Sequence, residues 1–399
     1  MPSRGFLPNF TEGANLQRKT YDAEKDDGLV VPLLDLGPIH RPIGAELRDA
    51  VLGVLESNRF VGGPELESFE REIAAYCGSH HAIGVSSGTD AIIASLMAFD
   101  IGLGDQVIVP SFTFFATAGS VRRLGAQIVF CDIEPRTFNL DPTKLDKLIT
   151  SRTRAVIPVH LFGLCADMDA IMQICSRHGL KVVEDAAQAI GATYQEKMAG
   201  TMGDTGCLSF FPSKNLGGIG DGGLILTQDK EVSEKLCRLR DHGAEHRYYH
   251  SLVGGNFRLD AIQAAALRVK LSHLEEWHQQ RRDNAGAYID AFSDLERKGL
   301  IRLPSDVPSY RHVFHQFVIR VSRRDALQGY LKSHLIDTAI YYPVPLHLQD
   351  CFAELGYRKG SLPESEKAAR EVLALPIFPG LTTAQRNKVI HHVREFLLN

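Results

Sequence analysis

The sequence predicts an α/β protein, with a mixed, mostly parallel sheet covered by helices and a smaller α+β domain at its C-terminal end. Three observations carry that expectation. Short runs that are apolar throughout alternate with stretches of helical spacing between residues 81 and 184. Strands buried on both faces and separated by helices are how a covered parallel sheet reads in sequence. The 399 residues suit two or three domains at roughly 100–200 residues each, and 44% hydrophobic with 23% charged residues is enough to bury a large core without staples.

Residues 1–28 are polar and charged, with little periodicity, and are expected to form a flexible extension, or an arm that orders only against a partner subunit. Residues 29–270 are expected to form the large domain and 271–399 the small one. Apolar spacing over 43–57 and 64–77 suits amphipathic helices. The strand–helix rhythm then runs through His81–Ser86 and helix 90–99, Gln106–Pro110 and helix 113–124, Gln127–Cys131, Ala155–Val159 and helix 167–178, and Lys181–Glu184. After Leu224–Thr227 the chain reads as helical to about residue 290, and residues 313–321 read as the strand that opens the small domain.

Composition narrows the function. Lys and Arg total 44 against 48 Asp and Glu, a net charge of −4, without the concentrated basic surface that nucleic acid requires. Seven cysteines, odd in number and lacking any CxxC, give neither a disulfide framework nor a zinc knuckle. No apolar run approaches the roughly 18 residues that span a bilayer. A cytoplasmic protein that binds no membrane is expected, and the Asn9-Phe-Thr11 sequon then carries no weight. His246 and His250 have helical i,i+4 spacing, but no HExxH pattern completes a metal site, and no metal is expected.

Ligands of open α/β sheets sit beyond the carboxyl ends of the strands, and three such ends are chemically loaded. Val85-Ser-Ser-Gly88-Thr89-Asp90 carries a strand into a helix through small residues, which suits a phosphate at the helix N-terminus; a tight turn with an N-cap reads the same way. Asp185 ends the run Lys181-Val-Val-Glu-Asp185, where a carboxylate can cap a helix, hold a metal or pair with a cationic ring nitrogen. Lys214, in Ser209-Phe-Phe-Pro-Ser-Lys214-Asn-Leu-Gly-Gly, lies between aromatics and a glycine loop. Desolvation there would lower its pKa, as an imine-forming lysine requires, whereas a solvated lysine would snorkel. Phosphate cradle, ring-nitrogen Asp and imine-forming Lys together describe pyridoxal phosphate (PLP). Gly218-Ile-Gly220-Asp-Gly-Gly223 matches GxGxxG, but it precedes a strand instead of opening a helix, so the nicotinamide reading is rejected.

With these residues in view the sequence resembles the DegT/DnrJ/EryC/StrS family of PLP-dependent sugar aminotransferases, of the aspartate-aminotransferase fold (fold type I). The resemblance runs over about residues 30–395. It rests on Phe60-Val-Gly-Gly-Pro64, Ser86–Ala91, Gly104–Phe114, Pro158-Val-His-Leu-Phe-Gly163, Glu184–Gln188, Ser209–Asn215, Gly255–Asp260 with Gln263-Ala-Ala, and Tyr342-Pro-Val-Pro-Leu-His347.

The resemblance implies roles for individual residues. Lys214 would be the Schiff-base lysine and proton carrier, and Asp185 the partner of the ring nitrogen. Phe114 would stack on the ring, although a lone Phe is more often core, and Gln188 would meet the 3-oxygen side. Gly88, Thr89 and Ser209 would hold the phosphate, and Asn256 would reach it from the neighbouring subunit of a homodimer with shared active sites. His160, His315, Tyr342 and His347 would line the sugar side, each histidine being equally readable as a structural residue. Dehydratase relatives carry histidine where Lys214 stands, so amination is implied. The substrate implied is a nucleotide-linked keto-sugar, with L-glutamate as donor, in surface-polysaccharide or glycosylated-metabolite synthesis. Alternatives are an unlinked keto-cyclitol or keto-acid sugar, and a non-catalytic PLP-binding regulator. The stretch Val159–Asp169 favours amination at C3 over C4 only slightly.

Overall fold

The computed structural model describes residues 28–305 and 307–399, so residues 1–27 of the expected extension lie outside the described residues. Helices α1 (Gly37–His40), α2 (Gly44–Ser57) and α3 (Pro64–Cys77) lead into the sheet. There follow β1 (His81–Val85), α4 (Gly88–Ala98), β2 (Gln106–Pro110), α5 (Phe115–Arg123), β3 (Gln127–Cys131), β4 (Thr153–Val156), α6 (Met168–His178) and β5 (Lys181–Asp185). A small ribbon, β6 (Thr193–Tyr194) and β7 (Lys197–Met198), precedes β8 (Thr205–Ser209) and β9 (Gly223–Thr227).

The sheet has seven strands in the order β1-β9-β8-β5-β4-β2-β3. Strand β9 runs antiparallel to both of its neighbours, and the remaining pairings are parallel. Successive side chains of a strand point to opposite faces, and both faces here are apolar. Ile108, Val182, Leu224 and Leu226 pack in one core with residues of α3, α6 and α8 (Ala261–Leu271). Val107, Val109, Val183 and Ile225 pack in the other, with residues of α4, α5 and α7 (Lys230–Leu239). Each fully buried Val, Leu or Ile contributes roughly 1.5–3 kcal/mol, which is why these strands read as unbroken apolar runs.

The helix expected from residue 228 to about 290 is interrupted. After α7 the chain forms a hairpin, β10 (Ala244–His246) with β11 (Tyr249–His250), and re-enters helix only at α8 and α9 (Leu274–Arg297). Gly243 (φ 74) and Tyr248 (φ 69) adopt left-handed backbone that a helix cannot contain. His246 and His250 therefore stand on opposite strands, not one helical turn apart. His246 stacks on Tyr249, and His250 Nδ1 lies 3.0 Å from the His242 carbonyl.

Strand β12 (Tyr310–Arg311) pairs with β6. The strand expected over 313–321 is β13 (Phe317–Arg320), antiparallel to β14 (Val372–Leu375). Around this pair lie α10 (Arg324–Ser333), α11 (Pro363–Glu371) and α12 (Thr383–Leu398). Tyr288, Phe292, Phe317, Leu327, Leu373 and Val389 form their core. Val31, on the large-domain side of the expected boundary, joins this core, and its N–H donates to the Leu335 carbonyl at 2.9 Å. Asp132, just past β3, ties the seven-stranded sheet to α11 by accepting from the N–H groups of Glu364 (3.0 Å) and Ser365 (2.8 Å) at the start of that helix.

All seven cysteines are free, five buried and two exposed. Among the described residues, no helix is long and apolar enough to cross a membrane.

Candidate active site

The loaded strand ends meet on one side of the sheet. Strand β1 passes into α4 through Ser86 and Ser87, and Ser87 Oγ caps the helix by accepting from the Asp90 N–H at 3.0 Å. The Asp90 carboxylate in turn accepts from Ser86 Oγ (2.7 Å) and Ser87 Oγ (3.0 Å). The first N–H groups of a helix, here those of Gly88 and Thr89, have no intrahelical partner and attract an anion. Ser209 closes the cradle from the end of β8. A Cβ on Gly88 would stand 2.7 Å from the Ser209 Cβ, so only glycine lets the helix start approach the strand end this closely.

Asp185 ends β5 at 6% exposure. Thr117 Oγ1 donates to its Oδ2 at 2.7 Å, and the Ala187 N–H donates to Oδ1 at 3.2 Å. Thr117 itself lies 3.3 Å, oxygen to oxygen, from Thr113. The carboxylate is thus clamped from α5 and from its own turn, with its orientation fixed before any ligand arrives.

Lys214 stands on the loop between β8 and β9. Burial pulls its ammonium down to about 8 from the ordinary 10.5, against the charge of Asp185, which pulls it upward. Its neighbour Asn215 donates to the Val313 carbonyl at 3.2 Å, and Asn215 Oδ1 faces His315 Nδ1 at 3.2 Å. His315 is held well below its ordinary pKa, first by burial and then by the positive charges of Lys214 and Arg281. It is therefore a neutral donor to Asn215, next to the lysine.

Gln188 is fixed at both ends. Its Oε1 accepts from the Phe162 N–H at 2.7 Å, and its Nε2 donates to the Tyr342 hydroxyl at 3.1 Å. Burial raises the Tyr342 pKa, so the phenol stays protonated. Phe114, expected on the ring face, is 57% exposed at the start of α5, with its ring 6.2 Å from that of Tyr342. For a phenylalanine that is open enough to receive a planar ligand.

Two of the histidines expected on the sugar side are corrected. His160 is wholly buried; the Ala166 N–H donates to its Nδ1 at 3.0 Å, so Nε2 carries the proton and donates to Glu184 Oε2 at 2.7 Å. His347 is 1% exposed, with Nδ1 2.6 Å from Ser111 Oγ and Nε2 3.2 Å from Glu366 Oε1. Both ring nitrogens of each are engaged inside the protein, which leaves no edge for a sugar. His315 and Tyr342 do lie beside Lys214 and Gln188. Asn256 is exposed and its backbone bridges to Asp241.

Three residues at the site were not singled out from the sequence: Thr117, Glu184 and Lys270. Glu184 gathers the N–H groups of Gly200 (2.8 Å), Met202 (2.6 Å) and Gly203 (2.5 Å) besides His160. Its signal was available, since a second carboxylate inside an apolar strand must have internal partners.

The model of the DegT/DnrJ/EryC1/StrS aminotransferase family matches residues 42–394. The chain belongs to this family. Among its relatives is the pleiotropic regulatory protein of Geobacillus stearothermophilus, 49% identical over 92% of this chain and 98% of the relative. The dTDP-3-amino-3,4,6-trideoxy-alpha-D-glucose transaminase of Streptomyces venezuelae is 45% identical over 92% of this chain and 96% of its own length. The crystal structure of S. venezuelae DesV in complex with a ketimine intermediate superposes with a TM-score of 0.89 at 45% identity, covering 93% of this chain and 99% of that one. This family fold agrees with the mixed, mostly parallel sheet expected of fold type I.

Proposed function

We propose that this chain is a transaminase that uses pyridoxal phosphate to convert a nucleotide-linked 3-keto-sugar to the amino-sugar, with L-glutamate as the donor. The observation that carries the proposal is Lys214, an amine brought down to about 8 by burial, at a site that also holds a clamped strand-end carboxylate and an anion cradle. The residues present fit the cofactor. The first turn of α4 with Ser209 suits its phosphate, Asp185 its ring nitrogen, Phe114 its face and Gln188 its oxygen edge.

When bound, pyridoxal phosphate supplies a ring that withdraws electrons from the carbon bearing the transferred nitrogen. The chain's own groups do the rest. Gly88, Thr89 and Ser209 anchor the phosphate end. Asp185, held by Thr117 and the Ala187 N–H, keeps a proton at the ring nitrogen by electrostatic preorganisation. Lys214 would be the covalent anchor, and its Nζ, once free, would carry the proton between the donor's α-carbon and the cofactor carbon that had held the lysine, work suited to an amine with a pKa near the operating pH. Tyr342 and His315, beside Gln188 and Lys214, are the substrate-side groups of this proposal.

The S. venezuelae transaminase supports a nucleotide-linked sugar and nitrogen at C3; L-glutamate comes from the family resemblance alone. The exposed Asn256 supports a homodimer in which each chain completes its partner's phosphate site. Division into a large and a small domain near residue 270, and a place in the cytoplasm in surface-polysaccharide or glycosylated-metabolite synthesis, belong to the same proposal. The regulatory relative from G. stearothermophilus keeps a second reading in play, a PLP-binding regulator without turnover. Against that reading, the chain keeps Lys214, Asp185 and Gln188.

The absorbance of the purified holoenzyme before and after L-glutamate is the test. A yellow band that bleaches on adding glutamate, followed by turnover of a nucleotide-linked keto-sugar, supports the proposal. A band indifferent to every amino donor would favour the regulator.

A further inference from the structure

Lys214 stands on a closed loop, and a buried lysine of α8 holds that loop shut. The Phe210 N–H donates to the Gly222 carbonyl (2.8 Å), the Gly218 N–H to the Phe210 carbonyl (2.7 Å) and the Lys214 N–H to the Phe211 carbonyl (2.8 Å). Within the loop, a Cβ on Gly217 would run into the Pro212 carbonyl, so the backbone already touches itself.

The outer edge of the loop is held by α8. Gln263 Oε1 accepts from the Ile219 N–H at 2.9 Å. Lys270, seven residues on and so on the same face of the helix, donates from Nζ to the carbonyls of Gly217 (2.7 Å) and Gly218 (3.3 Å). Lys270 is 2% exposed, and among the described residues no carboxylate pairs with it. A buried ammonium without a counter-charge is costly unless its N–H groups are used. These are spent on two carbonyls outside any helix or strand, three and four residues from Lys214. Among the described residues neither carbonyl has another donor.

We propose that Lys270 is a positioning residue for transamination, tying the Gly217 and Gly218 carbonyls so that the backbone beneath Lys214 is fixed. The inference rests on Lys214 being the cofactor-bearing lysine. Lys270 acts through geometry, since the ionisation of Lys214 follows burial and Asp185, with no contribution from Lys270.

The test uses the holoenzyme with Lys270→Met, which keeps the length and removes the donors, and Lys270→Gln, which keeps two N–H donors on a shorter, uncharged side chain. Hydrogen exchange of the 210–222 segment is read alongside kcat and KM. In Lys270→Met the amides of Gly218 and Ile219 should exchange at least about tenfold faster, with kcat reduced by a similar factor and KM within about twofold. Lys270→Gln should fall between Lys270→Met and wild type. Leu267→Ala, a core change on the same helix, should lower the melting temperature without loosening the loop. Unchanged loop exchange in Lys270→Met overturns the proposal, as does an equal kcat loss in Leu267→Ala at matched stability. If Lys270→Met does not fold, unchanged exchange and kcat in Lys270→Gln overturn it. Turnover that survives Lys214→Ala would instead refute the lysine assignment, and the loop-exchange result would stand apart from it.

Discussion

Raising the pH of the cofactor-free protein should switch Lys214 on well before any surface lysine. With a pKa of about 8 in place of 10.5, about one Lys214 in ten is a neutral amine at pH 7, against about one in three thousand for an unshifted lysine. The advantage is about 300-fold in nucleophile at equal intrinsic reactivity. Its sign follows from the cause, because burial penalises the charged form of a lysine and so favours the free amine. The assay is the rate of pyridoxal phosphate uptake, followed by absorbance between pH 6 and 10. The rate should climb tenfold per unit at low pH, bend near 8 and then level. Lys214→Arg, which keeps the cation but cannot lose its proton in this range, should show no band. A rate that climbs on to pH 10 in wild type would refute the argument that burial activates this amine.

Four further outcomes follow from the same geometry. Asp185→Asn should fold, because an amide can still partner Thr117 and the Ala187 N–H. Its turnover should fall by about three orders of magnitude, the loss of one charge worth about 4 kcal/mol at 4 Å and an effective dielectric of about 20; retained cofactor absorbance with collapsed kcat is the check. Thr117→Val keeps shape and removes the 2.7 Å hydrogen bond to Asp185. A bond to a charged group is worth about 1.5–3 kcal/mol, so kcat should fall about tenfold to a hundredfold with KM little changed. Glu184→Gln turns an amide NH2 against donors already in place and should destabilise by about 3 kcal/mol or more, read as a drop in melting temperature. His347→Phe should likewise act on stability without changing KM for the sugar, because the ring lies inside; a large KM effect would restore it to the sugar side.

Local patterns decided most of the fold. Strands such as Gln106–Pro110 and Gln127–Cys131 sit where their apolar runs place them, because a strand buried on both faces leaves an unbroken signature. The hairpin at 244–250 was missed because no Gly, Pro, Asn or Asp marks its turn, which Tyr248 makes at φ 69, while its neighbours have polar, helix-compatible spacing. The cradle and Asp185 were legible as strand ends, where backbone direction alone places a ligand. The histidines were not, since a histidine's role depends on what its two nitrogens meet. Glu184 and Ser111 lie 24 and 236 residues from the rings they engage. Lys270 was hidden for the same reason. On α8 it reads as a surface lysine, and only the glycine loop folded over it makes it interior.

The most direct test of the central claim is to reduce the holoenzyme with borohydride and locate the trapped cofactor by peptide mass. One phosphopyridoxyl group per chain is expected, on the peptide bearing Lys214. A label on Lys270, a buried lysine whose pKa is likewise brought down to about 8, or on any other residue, would contradict it.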